Sequence, residues 1–148
     1  MPQSRTIRQQ ALQLLCQFDA GNCDVACITD ESFDEETSAT TEPHAKAATR
    51  AKRVWEERAN ADTVIASLTP EWPIHRQPLI DRNILRLGHY ELVGNATPPL
   101  VAITEAIELA KEFGTQRSPA FVNGVLNEIM ERYQSQNASD QDTENSTS

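Results

Sequence analysis

The chain has 148 residues, 39% of them apolar, and a formal net charge of −9. That length suits one compact domain or two small subdomains, with part of the chain left outside a core. No run is long and apolar enough to cross a bilayer, and the acidic surplus at first sight argues against nucleic acid.

The first predicted helix covers residues 4–19. Ile7, Ala11, Leu14 and Phe18 recur at helical spacing, with Leu15 beside them. Ser4 is the expected N-cap, and Gly21-Asn22 the stop. Between 22 and 43, Val25, Ala26, Ile28 and Phe33 fit one short helix. The run 34–43 reads as a solvated connection. Residues 44–68 read as one long helix with Ala47, Ala51, Val54, Ala61, Ile65 and Leu68 on its apolar stripe. Arg58 interrupts that stripe and Trp55 flanks it. Lys46, Arg50 and Arg53 form a basic stripe, read as a solvated face. Two prolines in 69–73 make a turn and the boundary between two subdomains.

Three helices follow. The first covers about 76–94, with Ile80, Ile84, Leu85, Leu87 and Leu92 apolar. The second covers about 99–113, with Pro99 in its first turn, Leu100, Ile103, Ile107 and Ala110 on its stripe and Gly114 at its end. The third opens on Ser118-Pro119, an N-cap followed by proline, and runs to about Tyr133 with Val122, Val125, Leu126 and Ile129 inward. Residues 134–148 are nearly devoid of apolar groups and are expected to be disordered. No segment shows a strand pattern, so the class is all-α. Gly88 and Gly124 fall inside predicted helices, where each costs about 1 kcal/mol relative to alanine. Close helix–helix approach is the expected reason for both.

The acidity is local. Residues 9–45 hold eight acids and no Lys or Arg, and 134–148 add three more acids. The remainder carries 13 basic and 11 acidic residues. Cys23 and Cys27 form a C-x3-C pair without a second ligand pair, and His44 is isolated, so the cysteines read as ordinary reduced thiols and no metal or cofactor is expected. Residues 1–10 hold no apolar signal run, and a cytoplasmic location follows as the expectation. No glycine-rich phosphate cradle and no nucleophile–base pair is present. His89 reads as a packed or surface residue, and Glu105, Glu108 and Lys111 as ordinary helix charges. The chain is therefore expected to bind rather than to catalyse.

Three stretches together resemble one family: Asp81-Arg-Asn-Ile-Leu-Arg-Leu-Gly-His-Tyr-Glu-Leu92, Pro99-Leu-Val-Ala-Ile-Thr-Glu-Ala-Ile-Glu-Leu-Ala-Lys-Glu-Phe-Gly114 and Ser118-Pro-Ala-Phe-Val-Asn-Gly-Val-Leu126. Their order and spacing are similar to those of the NusB transcription antitermination proteins. Arg5-Thr-Ile-Arg8 before Ala11-Leu-Gln-Leu-Leu15 and Asp19 fits more loosely. The resemblance implies a compact bundle of six to seven helices in two three-helix halves. Here these are a single domain, 1–133, with halves of about 4–70 and 74–133. It further implies a heterodimer with the ribosomal protein NusE that binds boxA in single-stranded RNA. That complex acts through RNA polymerase to read through terminators on ribosomal RNA operons. Carried over by position, the RNA surface comprises Arg5, Arg8, Arg117 and Phe121. The sequence departs from the family in a thinly basic arm, in Cys16 where an aromatic is common, and in Gln116-Arg117 where an acidic pair is usual. Two alternatives stand beside this reading. One is a helical association module or homodimer that does not bind RNA directly. The other is an RNA cytosine methyltransferase, for which the chain has no room.

Overall fold

The computed structural model describes residues 2–21, 38–94 and 97–145. Six α-helices account for most of them: α1 (Pro2–Ala20), α2 (Ser38–Glu56), α3 (Arg58–Leu68), α4 (Leu79–Gly94), α5 (Pro99–Phe113) and α6 (Ser118–Asn145). A single 3-10 turn, Ile74–Arg76, precedes α4. No strand occurs among the described residues. Val25, Ala26, Ile28 and Phe33, expected to form a short helix within 22–43, lie outside the described residues, as do Cys23 and Cys27.

The apolar stripes meet in one core. Ile7, Ala11, Leu12, Leu15 and Phe18 of α1 join Ala47, Ala51 and Val54 of α2. With them pack Ile65 of α3, Ile84, Leu85, Leu87 and Leu92 of α4, Ala102, Ile103 and Leu109 of α5, and Val122, Leu126 and Ile129 of α6. Helices α4, α5 and α6 pack mutually, and α1 packs along α2. Helix α4 also touches α1, α2 and α3, so it is in contact with every other α-helix described.

Several element ends differ from expectation for identifiable reasons. Helix α1 begins at Pro2, which places Ser4 inside the first turn rather than at the cap. Gly21 does end it, at a φ of 76°, with its N–H on the Phe18 carbonyl at 3.1 Å. That left-handed turn suits glycine. The expected long helix over 44–68 is two helices, and the first starts earlier, at Ser38, within the stretch read as a connection. The break falls at Glu57, whose φ and ψ of −95° and 6° leave the helical region. Arg58 then swings back to donate to the Trp55 carbonyl at 2.7 Å and stacks over the Trp55 ring at 4.0 Å. The interruption of the stripe at Arg58 is thus the trace of a real helix end. Helix α6 continues to Asn145 instead of stopping near Tyr133. Nothing between 134 and 145 is glycine or proline, so no residue there breaks the backbone of the polar tail.

The two helical glycines separate cleanly. A Cβ on Gly88 would lie 2.8 Å from both Cδ atoms of Leu126, which is fully buried; α4 and α6 cross there. A Cβ on Gly124 would meet nothing within 4 Å. Close approach therefore explains Gly88 and not Gly124, because the latter faces outward. Gly88→Leu is expected to destabilise the chain by about 1–3 kcal/mol through overpacking. Gly124→Ala is expected to stabilise it by about 1 kcal/mol through helix propensity. Urea denaturation of the two variants checks both signs.

Candidate nucleic-acid interface

The four residues expected on an RNA surface fall in different surroundings. Arg5 is on the outer face of α1 and reaches across to α5. Its Nε and Nη2 donate to the Glu105 carboxylate at 3.2 and 3.3 Å, with the arginine side chain 52% exposed. The hydrogen bond from Arg5 holds the Glu105 carboxyl below the usual range. Four residues on, Gln9 donates to Glu112 at 2.8 Å. Arg5 and Gln9 thus reach from α1 to two carboxylates of α5. An exposed ion pair of this kind contributes little and exchanges readily for another anion.

Arg8 is not on the surface. Its side chain is 5% exposed, and its Nε donates to Glu91 of α4 at 2.9 Å. Arg50, read as part of a solvated stripe, also turns inward to Glu91, at 3.3 Å. Burial pushes the Glu91 carboxyl up, and the charges of Arg8 and Arg50 only partly offset that. Arg8 and Arg50 thus stitch α1 and α2 to α4, and Arg8 is removed from the set of surface contacts. The spacing of Arg5 and Arg8 suggests a shared face. The α1–α4 contact instead takes Arg8 inside and leaves Arg5 out.

Arg117 and Phe121 do share a site. Arg117 ends the α5–α6 turn, and its carbonyl accepts the Phe121 N–H at 3.2 Å, so the two side chains stand one helical turn apart. Arg117 is exposed and Phe121 half-buried. Phe121 packs against Trp72, with ring centroids 4.8 Å apart in a T-shaped pair. Trp72 belongs to the 69–73 turn, which Gln77 fastens from inside. The Gln77 amide donates to Thr69 Oγ1 at 3.2 Å and to the Trp72 carbonyl at 2.9 Å.

The turn that carries Arg117 is held just as firmly. Ser118 is fully buried, and its hydroxyl donates to the buried Asp81 carboxylate of α4 at 2.7 Å. The same oxygen accepts the Thr115 N–H at 2.9 Å. The Arg117 N–H goes to Thr115 Oγ1 at 3.3 Å. Ser118 is the expected N-cap, but its hydroxyl faces α4 and pins the turn instead. Gly114 leaves room for it: a Cβ there would sit 2.5 Å from the Ser118 Oγ.

A second polar cluster has no counterpart in the sequence reading. Asp19 accepts from Arg82 Nη2 at 2.8 Å, from Asn83 at 2.9 Å and from Arg86 at 2.9 Å. Arg86 also grips Asp62 of α3 with two bonds of 2.8 and 2.9 Å. Asp19, Asp62, Arg82 and Arg86 line a cleft of about 650 Å³ together with Ile74 and His75. Positive and negative charges alternate and are mutually satisfied, so the cluster ties α1, α3 and α4 together. The available signal is that Arg82, Asn83 and Arg86 stand among the apolar Ile80, Ile84, Leu85 and Leu87 of one helix. Close by, burial pushes the Cys16 thiol up to about 11, with Asp19 adding to it, so the thiol stays protonated near neutral pH. Burial likewise lowers the His89 imidazole below its ordinary value.

Fold and site together define an all-helical protein with a cationic and aromatic corner at Arg117, Phe121 and Trp72. Nothing in that corner pairs a nucleophile with a base. The chain belongs to the NusB family, whose model matches residues 5–131. It is similar to the transcription antitermination protein NusB of Thermobifida fusca, at 44% identity over 84% of this chain and 87% of the relative. It is also similar to that of Streptomyces coelicolor, at 37% identity over 88% and 94%. Among solved structures, T. maritima NusB matches with a TM-score of 0.71 and 31% identity, over 88% of this chain and 92% of that one.

Proposed function

We propose that this chain is a transcription antitermination factor that binds boxA RNA as a heterodimer with the ribosomal protein NusE, and so helps RNA polymerase read through terminators. The observation that carries the reading is membership of the NusB family across residues 5–131, with relatives that bear the antitermination name. The corner adds physical support. Arg117 offers an exposed cation, Phe121 and Trp72 offer aromatic surface, and Arg5 adds a second cation that trades Glu105 for phosphate.

The test is a titration of labelled boxA RNA at several salt concentrations, with NusE present. Each phosphate of a single strand that the protein no longer neutralises lowers the slope of log affinity against log salt by about 0.7. Arg5→Ala and Arg117→Asp are each expected to weaken binding and flatten the slope, with partner binding intact. Arg8→Met is expected to act on stability instead. Equal affinity and slope for wild type, Arg5→Ala and Arg117→Asp would remove these arginines from the interface.

A second reading, association without RNA contact, is favoured by one feature. Val93 at the end of α4 and Leu100 and Val101 at the start of α5 are 43%, 71% and 45% exposed. Apolar groups at such exposure suit a protein partner. Partner binding that persists while RNA binding is absent at low salt would select this reading.

A further inference from the structure

Helix α5 carries a row of acids. Glu105, Glu108 and Glu112 recur at i, i+3 and i+7, so they share one face. Each is engaged differently. Glu108 takes Lys111 of its own helix at 3.4 Å, and Glu112 takes the Gln9 amide at 2.8 Å. Glu105 takes Arg5, receiving its Nε and Nη2 on separate oxygens at 3.2 and 3.3 Å. A carboxylate seated in this way fills the same edge of the guanidinium that would receive two phosphate oxygens. Arg5 cannot hold both on that edge. The pair is also lopsided. The Arg5 side chain is 52% exposed and that of Glu105 only 17%. An arginine that swings out meets water. The carboxylate it leaves behind stays largely enclosed, where its charge opposes that of Glu91 on α4. Arg8 draws on Glu105 as well, but its Nε is committed to Glu91.

We propose that Glu105 is a built-in competitor for RNA phosphate, occupying Arg5 in the free protein and displaced when that arginine meets the strand. This rests on the RNA-binding reading above and names the acid that restrains it. Two consequences follow from the exchange. RNA affinity is lower than the cations alone would give. The displaced carboxylate also gathers a counterion, which offsets the one that the phosphate releases. Arg5 therefore adds less than a full contact to the salt dependence.

The experiment is a double-mutant cycle of wild type, Glu105→Gln, Arg5→Ala and the double variant, each with NusE, titrated with boxA RNA at several salt concentrations. Thermal melting accompanies the titrations. The pair is exposed on its arginine side, so Glu105→Gln is expected to melt close to wild type. Glu105→Gln is expected to bind RNA about two- to fivefold more tightly, the scale of an exposed ion pair. Its salt slope is expected to steepen by up to about 0.7. In the Arg5→Ala background the same substitution is expected to change neither quantity. Wild-type affinity in Glu105→Gln overturns the proposal. An equal gain with and without Arg5 overturns it too, because the acid then acts only through the general field of the surface. Unchanged affinity in Arg5→Ala also overturns it, while leaving RNA binding through Arg117 standing. Failure of wild type to bind RNA at any salt removes both readings.

Discussion

Asp19→Asn is expected to destabilise the chain by about 3 kcal/mol at neutral pH. Asp19 lies at the end of α1 and accepts bonds from Arg82, Asn83 and Arg86 of α4. Its side chain is 11% exposed and those of Arg82 and Arg86 are 17% and 7% exposed, so solvent does little to replace the missing charge. Arg86 keeps Asp62 as a partner, whereas Arg82 keeps only the Ile74 carbonyl, at 3.5 Å. Burial alone would raise the Asp19 carboxyl. The hydrogen bonds from Arg82 and Asn83 and the charges of Arg86 and Arg82 outweigh it and hold the group below its ordinary value. A carboxyl lowered in the folded state stabilises above its unfolded pKa and loses that contribution as pH falls through the folded value. The gap between wild type and Asp19→Asn should therefore be full at neutral pH and close as the pH drops through and below the usual carboxylate range. Guanidinium titrations at a series of pH values measure it. A gap that does not vary with pH would mean that the charge of Asp19 is not what stabilises the cluster.

Ser118→Ala is expected to destabilise by about 1.5–3 kcal/mol, because it removes a hydrogen bond to a buried carboxylate. Asp81 is 2% exposed and Ser118 fully buried, so no water reaches the vacated position from outside. The Thr115 N–H is left without its acceptor in the same step. The effect extends to the proposed RNA contact, since Arg117 stands on the turn that Ser118 pins. RNA affinity is expected to fall even though no surface side chain has changed. Ser118→Thr, which keeps the hydroxyl, should recover part of the affinity. Thermal melting paired with the RNA titration reads both effects. A variant that melts lower but binds RNA as wild type does would show that the pin supports the fold alone.

Much of the architecture is legible in the sequence because it rests on local rules. Helix α5 has the expected bounds, with Pro98 and Pro99 fixing its start and Gly114 its end. The 69–73 turn is marked by its prolines. What stays hidden depends on contacts between residues far apart in sequence. The break at Glu57 has helix-forming residues on both sides and neither glycine nor proline at the joint. Arg5 and Arg8 look alike in the sequence, yet one meets solvent and the other Glu91, as the packing of α1 against α4 dictates. Gly88 and Gly124 carry the same expectation and part on what lies opposite each. The family resemblance points to Phe121, but not to its packing on Trp72, which is far away in the chain and in a turn.

Helix α4 has a consequence for how this chain tolerates change. Of its 16 residues, ten are buried, including Asp81, Asn83, Arg86, His89 and Glu91. Each of the polar ones is committed to a neighbour or enclosed by packing, so substitutions there disturb several helices at once. The outer faces of α5 and α6 carry no such burden and can be rewritten one residue at a time. Change in what the surface contacts therefore has open ground at Arg117, Gly124 and the start of α5. The central helix sets the frame within which such drift is survivable.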